Sequence, residues 1–303
     1  MEIKNFTVES DYDKLMLHGT VYEPNGEKKG IVHILHGMSE YKERYLEFMQ
    51  FLCGNGYVAV CHDHRGHGDS VEKEADLGWF RDFHGKAIVD DAVKVTKYIQ
   101  SQYPNLPVTL FGHSMGSMVV RCYVREHDDL IDKLIVCGTP VNNPLAGTAI
   151  FVEKCIRLFK GERHRSKMLA YLSTGKGNNN FPGEGKGAWL SQNRASIDAF
   201  YQNPKGRYGF TCNGFENLFN LMKRTYRKKG YLVKNKALPV HFVSGSEDAV
   251  LGGEKNFNKC VEFFKQLGYT NVTSKLYAGL RHEILNEIEH QAVYDDLLQF
   301  IEN

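Results

Sequence analysis

No stretch of the chain approaches the roughly 18 consecutive apolar residues that a membrane-spanning helix needs. Its start, Met1-Glu2-Ile3-Lys4-Asn5-Phe6, also lacks the basic residues and apolar run of a secretory signal. These absences predict a cytoplasmic protein with no transmembrane segment. Cysteine is present but unpatterned: Cys53, Cys61, Cys122, Cys137, Cys155, Cys212 and Cys260 are odd in number, scattered and never in a C-x-x-C pair. That excludes a disulfide framework and a cysteine-rich zinc site, and predicts buried thiols acting as small apolar groups. Charge of one sign is not in surplus either, with 38 Lys and Arg against 36 Asp and Glu. There is no internal repeat. At 42% hydrophobic and 24% charged residues in a 303-residue chain, disordered, collagenous and fibrous classes are excluded.

What is present is an alternation of elements. Ile3–Glu9 and Leu15–Tyr22 flank the turn-like Ser10-Asp11-Tyr12-Asp13 and predict an antiparallel hairpin. Strands are predicted at Ile31–Leu35, a buried-type run, and at Tyr57–Cys61, Val108–Phe111, Leu134–Cys137, Val240–Val243 and Val272–Tyr277. Between them lie helical stretches near 43–52, 88–99, 254–267 and 291–301; in the second, Ile88, Ala92, Val95 and Ile99 recur every three or four residues. Apolar strands alternating with amphipathic helices predict an α/β fold whose mostly parallel sheet is covered on both faces. Ligands in such folds bind beyond the carboxyl ends of the strands, so those strand ends are where chemistry is expected.

One segment breaks the rhythm. Between Pro140 and Lys236 there are 18 Lys and Arg against 5 Asp and Glu, whereas the remainder holds 20 against 31. Helix-like pieces are expected at 150–159, 188–200 and 215–226, with no strand, and the Gly- and Asn-rich run from Ser173 to Gly187 predicts a mobile loop. The expected organisation is a core of residues 1–139 and 237–303 with a helical cap at 140–236. Its apolar residues Phe151, Ile156, Leu158, Phe159, Phe215, Leu218, Phe219, Leu221 and Met222 are candidates to line a tunnel. Its basic residues are candidates for contact with anionic lipid; no sequence motif for reading nucleic acid accompanies them.

Gly112-His113-Ser114-Met115-Gly116 stands where a predicted strand runs into a helix, the setting in which a sharp turn presents a serine hydroxyl above a sheet. A serine needs a base, and the base a carboxylate that fixes its tautomer. His282 follows the last strand, and Asp248 follows the strand before it, with Glu247 as the competing acid. The order Ser, acid, His is that of α/β-hydrolases. The backbone N–H groups of Met115 and of Met38, in His36-Gly37-Met38, are candidate oxyanion donors. A rival lies in Cys61-His62-Asp63-His64-Arg65-Gly66-His67, whose H-x-H-x-x-H spacing resembles dinuclear zinc hydrolases. Gly66 occupies the position before the third histidine where a carboxylate is expected, and no second ligand set follows. Neither a metal nor any other cofactor is therefore expected.

Together these landmarks resemble the monoacylglycerol lipase and lysophospholipase branch of the α/β-hydrolases, the serine aminopeptidase-like group. The resemblance spans nearly the whole chain. It is carried by His36-Gly37-Met38-Ser39-Glu40 with Arg44-Tyr45, Asp63–Ser70, Gly112–Ser117, Ser244–Asp248 and Tyr277–Glu283. It implies Ser114 as nucleophile, Asp248 and His282 as its partners, Met38 and Met115 as oxyanion donors, and about eight strands under a helical cap. Tyr41 departs from the family pattern, where histidine is common, as does Ala249, where proline often follows the acid. The implied activity is hydrolysis of acyl esters, of the monoacylglycerol or lysophospholipid kind. Amidases, peptidases and non-catalytic binding proteins share the fold, and fold analogy does not separate them.

Overall fold

The computed structural model describes residues 1–175, 177–206 and 208–303. Its centre is an eight-stranded sheet. The strands are β1 (Glu2–Glu9), β2 (Met16–Glu23), β3 (Gly30–Leu35), β4 (Tyr57–His62), β5 (Val108–His113), β6 (Lys133–Cys137), β7 (Val240–Gly245) and β8 (Val272–Tyr277). They lie in the order β1-β2-β4-β3-β5-β6-β7-β8. The β1–β2 hairpin is antiparallel and β2 pairs antiparallel to β4; every other pairing is parallel. β3, β4 and β5 are buried along their whole length, which is why they read as unbroken apolar runs and not as alternating ones.

Helices α1 (Leu46–Gly54) and α9 (His290–Glu302) cover one face of the sheet, where Phe48, Leu52, Tyr294 and Leu297 pack on Val32, Ile34 and Phe111. On the other face α2 (Ala87–Gln102), α3 (Met115–His127) and α8 (Glu254–Leu267) bury Ala92, Val95, Val119, Tyr123, Phe257 and Phe264 against Ile31, Leu110, Leu134 and Phe242. At roughly 25 cal/mol per Å² of apolar surface, two such layers supply the main drive to fold.

Between β6 and β7 the described residues form α4 (Ala146–Lys160), α5 (Lys167–Thr174), α6 (Arg194–Gln202) and α7 (Cys212–Tyr226), and no strand. Two differences from the sequence reading occur here. The helix expected from 188 begins at Arg194, because the Asn193 side chain caps it by accepting from the Ser196 N–H. α5, capped in the same way by Ser166, was not anticipated. In the 173–187 run a 3-10 turn spans Gly177–Asn180, and Lys176 lies outside the described residues. The seven cysteines carry no disulfide; six are buried as expected, but Cys155 is exposed, since it points outward from α4.

Candidate active site

Parallel register brings the strand ends level: Leu35 pairs with Gly112, His113 with Cys137, and Gly245 with Tyr277. The loops after β3, β5, β7 and β8 therefore share one rim. After β5 the chain turns at Ser114, whose φ of 53° and ψ of −115° lie outside the regions that side-chain-bearing residues favour. The turn is tight enough that a Cβ on Gly112 would stand 2.4 Å from the Gly116 carbonyl oxygen, and one on Gly116 2.1 Å from that of Leu35. Only glycine fits at either position.

Three distant side chains converge. His282 Nε2 lies 2.8 Å from Ser114 Oγ, and its Nδ1 lies 2.9 Å from Asp248 Oδ2. Asp248 is buried, which raises its pKa. The charge and hydrogen bond of His282, with donors from Ser244 Oγ and the Val250 N–H, outweigh that burial and hold the carboxyl below its usual value. Glu247 is half exposed and lies near Arg281, not His282. Of the two acids, Asp248 is the one that reaches the imidazole.

The loop after β3 is held from below. His36 Nδ1 donates to the Gly37 carbonyl at 2.8 Å and its Nε2 accepts from the His64 N–H at 3.0 Å, which fixes the tautomer. Gly37 N–H donates to Glu40 Oε2 at 2.6 Å. Met38 and Met115 line the same cavity as Ser114, and Met115 opens α3, where a first-turn N–H has no partner within the helix.

Glu40 belongs to a buried cluster that the sequence reading did not resolve. Arg44 bridges Glu40 and Glu283, binding the latter through two bonds of 2.6 and 2.7 Å. His113 Nδ1 faces Glu40 Oε2 at 3.1 Å, and its Nε2 faces the His282 carbonyl oxygen at 3.1 Å. Both ring nitrogens thus meet acceptors, which suits an imidazolium. Burial lowers the His113 pKa, but the Glu40 hydrogen bond and charge raise it overall. Glu40, Arg44, His113 and Glu283 together tie the loop after β3 to the loop that carries His282. Glu40, Arg44 and Glu283 stand in the motifs that carried the resemblance; their joint role needed the third dimension.

Within the H-x-H-x-x-H segment His62 and His67 each bond through Nδ1, while both ring nitrogens of the buried His64 have no hydrogen-bond partner. His33 Nδ1 meets Thr96 Oγ1, His33 Nε2 meets His62 Nδ1 at 2.9 Å, and His67 Nδ1 meets the Arg65 carbonyl oxygen. Among the described residues no three His, Cys, Asp or Glu side chains are arranged to hold a metal.

A cavity of about 820 Å³ opens over Ser114. Of the nine tunnel candidates, Phe215, Leu218, Phe219 and Met222 of α7 line it. Phe151, Leu158 and Phe159 instead face outward from α4, while Ile156 and Leu221 pack inside. The sequence missed Trp189, whose ring lies 5.2 Å from that of His282, centroid to centroid. A tryptophan between Ala188 and Leu190 reads as ordinary apolar packing and gave no signal of such a role.

A family model described as serine aminopeptidase, S33, matches residues 26–289. Human monoglyceride lipase is 27% identical over 282 residues, 89% of this chain and 83% of that protein. The monoacylglycerol lipase of Mycolicibacterium smegmatis is 24% identical over 283 residues, 93% and 91% of the two chains. Among solved structures, a highly thermostable carboxyl esterase from Bacillus coagulans, in complex with glycerol, superposes with a TM-score of 0.89 at 25% identity, over 100% of this chain and 98% of the other.

Proposed function

Because the chain belongs to the serine aminopeptidase S33 family, we propose that it is a serine hydrolase of carboxylic esters, acting on acyl esters of the monoacylglycerol or lysophospholipid kind. The observation that carries this reading is the row Ser114 Oγ, His282, Asp248, with both hydrogen bonds at 2.9 Å or less. In the proposed reaction His282 Nε2 takes the Ser114 proton as Oγ attacks the ester carbonyl. The N–H groups of Met38 and Met115 receive the oxyanion, a stabilisation of roughly 3 kcal/mol for each such donor. Imidazolium then protonates the leaving alcohol, and water, deprotonated by the same ring, releases the acid. An apolar wall from α7 suits an acyl chain. A binding protein would not need the strained φ at Ser114 or two level hydrogen bonds on its hydroxyl side.

Residues 140–236 serve in this proposal as a lid over the cavity, and its outer face meets an anionic lipid surface. The support is an apolar ridge on α4, with Phe151, Leu158 and Phe159 exposed to 68, 80 and 82%, beside the exposed Lys154 and Lys160. Each basic residue near such a surface contributes on the order of 1 kcal/mol. Binding to anionic vesicles is expected to weaken with added salt; equal binding to neutral and anionic vesicles refutes the contact.

The test of the reaction is Ser114→Ala. It should leave the melting temperature near that of the parent, abolish labelling by a fluorophosphonate, and remove nearly all turnover of p-nitrophenyl esters and monoacylglycerol. Turnover near the parental rate in that variant refutes the assignment.

A further inference from the structure

The two sides of Ser114 differ in chemistry. The cavity is lined by Phe215, Leu218 and Phe219 of α7 and by Lys186, Trp189 and Tyr201, and of these Trp189 lies against the His282 ring. Lys186 and Trp189 belong to a strap that is bolted to the His282 loop. Arg281 Nη1 donates to the Ala188 carbonyl at 2.8 Å, and the Glu283 N–H donates to that of Leu190 at 2.7 Å. These ties lay Trp189 against the His282 ring. Three residues earlier, Lys186 Nζ sits 4.0 Å from the centroid of the Tyr201 ring. Gly187 permits the approach: its φ is +79°, and a Cβ there would stand 2.8 Å from Tyr201 and 2.9 Å from Ile197. Lys186 itself is exposed, with its ammonium over the Tyr201 ring.

The charge on Lys186 is uncompensated, while the acids around it are engaged. Glu184 is bound by Arg281 at 2.7 Å, Asp198 by Arg194 at 2.6 Å, and Glu283 by Arg44. Glu40, the other carboxylate on the cavity wall, is shared by Arg44 and His113. Among the described residues no carboxylate forms an ion pair with Lys186. An ammonium held over an aromatic face at the rim of a cavity, with no acid of its own, is a receptor for an anion.

The side on which it stands decides which part of a substrate it meets. The proton carried by His282 goes to the departing alcohol, so the alcohol must lie on the His282 side and the acyl chain along α7. We propose that Lys186, backed by Tyr201, forms an anion-accepting subsite for the alcohol portion. The preferred substrate is then an acyl ester whose alcohol bears a phosphate, in preference to one with uncharged glycerol. This rests on the esterase reading above and narrows it to a head-group class. Lys186 acts as a specificity-determining residue; the reaction itself remains addition of water across the ester, with no further reactant.

The test uses the full chain and two soluble esters with the same short acyl chain, one of glycerol and one of glycerol 3-phosphate, both below the concentration at which they aggregate. The readout is the ratio of kcat/KM for the phosphorylated ester to that for the neutral one. The ratio should exceed one in the parent and fall with added salt. In Lys186→Met it should drop about tenfold, as expected for loss of one charge-assisted contact, mainly through KM. In Lys186→Arg it should recover, and melting temperatures identify any variant that misfolds. A ratio unchanged between parent and Lys186→Met, with the neutral ester still hydrolysed, overturns the subsite and leaves the esterase reading standing. If neither ester is hydrolysed and Ser114 resists the fluorophosphonate, both fall together.

Discussion

The rim of the sheet and the helices inserted above it treat buried charge in opposite ways. At the rim, Asp248, Glu40, Glu283, Arg44 and His113 each meet a partner of opposite charge or a fitted donor. Between α4 and α7, Glu153 and Glu216 are both buried and share the half-exposed Arg157, with Nε 3.1 Å from Glu153 and Nη2 3.3 Å from Glu216. Neither oxygen of Glu153 has a well-formed hydrogen bond. Fully paired groups hold one geometry, which a reacting centre requires; an under-paired contact stores free energy that a change of arrangement releases. The charges around Ser114 are thus held in one geometry, and the α4–α7 carboxylates are held less tightly.

The largest effect should come from disturbing the paired region at its centre. In Asp248→Asn the acceptor for His282 Nδ1 is replaced by a group that favours the wrong tautomer, and kcat is expected to fall about 10⁴-fold. Asp248→Asn with kcat within tenfold of the parent would show that the partnering at the rim does not serve the reaction.

Acid should come next. His33, His36, His62, His64 and His67 are buried, and burial lowers the pKa of each, that of His33 to about 3. In the unfolded chain imidazoles take up protons near pH 6.5. Below that value the unfolded state therefore binds more protons than the folded one, and stability is lost as pH falls. For His33 this costs about 2 kcal/mol at pH 5, a range in which most carboxylates remain ionised, and the other four act in the same direction. Urea midpoints at pH 7.5 and pH 5 measure this, and equal midpoints would contradict it.

The smallest effect belongs to the insertion and has the opposite sign. Burial first, then the charge of Glu216, raises the pKa of Glu153 to about 7 from 4.5. For an acid shifted upward the unfolded state releases its proton first, so stability declines as pH rises from about 4.5 through 7. Glu153→Gln removes that decline. The variant should gain on the order of 1 kcal/mol over the parent at pH 8 and little at pH 5, read from thermal or urea unfolding. A variant less stable than the parent at pH 8 would show that the α4–α7 carboxylates are as well accommodated as those of the rim.

The same contrast governs how much could be read in advance. β4 at Tyr57–His62 and α8 at Glu254–Leu267 fall where periodicity puts them, because a strand buried by its neighbours reads as an apolar run and a helix lying on a sheet as an apolar stripe every three or four residues. The helix expected from 188 does not exist before Arg194, because Ala188–Ser191 is held by Arg281, Glu283 and Glu287. Those partners lie more than 90 residues away along the chain, and no local pattern announces them. Phe151, Leu158 and Phe159 failed as tunnel residues for a related reason: an apolar face is visible in sequence, but whether it turns inward or outward is a property of how α4 rests on α7.

By itself the sequence determined the alternation of strands and helices and its interruption at 140–236, because local periodicity and turn chemistry leave marks within a few residues; Ser114, Asp248 and His282 were singled out by chain order and by the family resemblance. Tertiary structure alone decided that these three side chains meet, that Glu40, Arg44, His113 and Glu283 form one cluster, and that Trp189 lies against His282 with Lys186 on the same cavity wall. Those outcomes depend on parallel register and on contacts between distant loops, where distance in space bears no relation to distance along the chain.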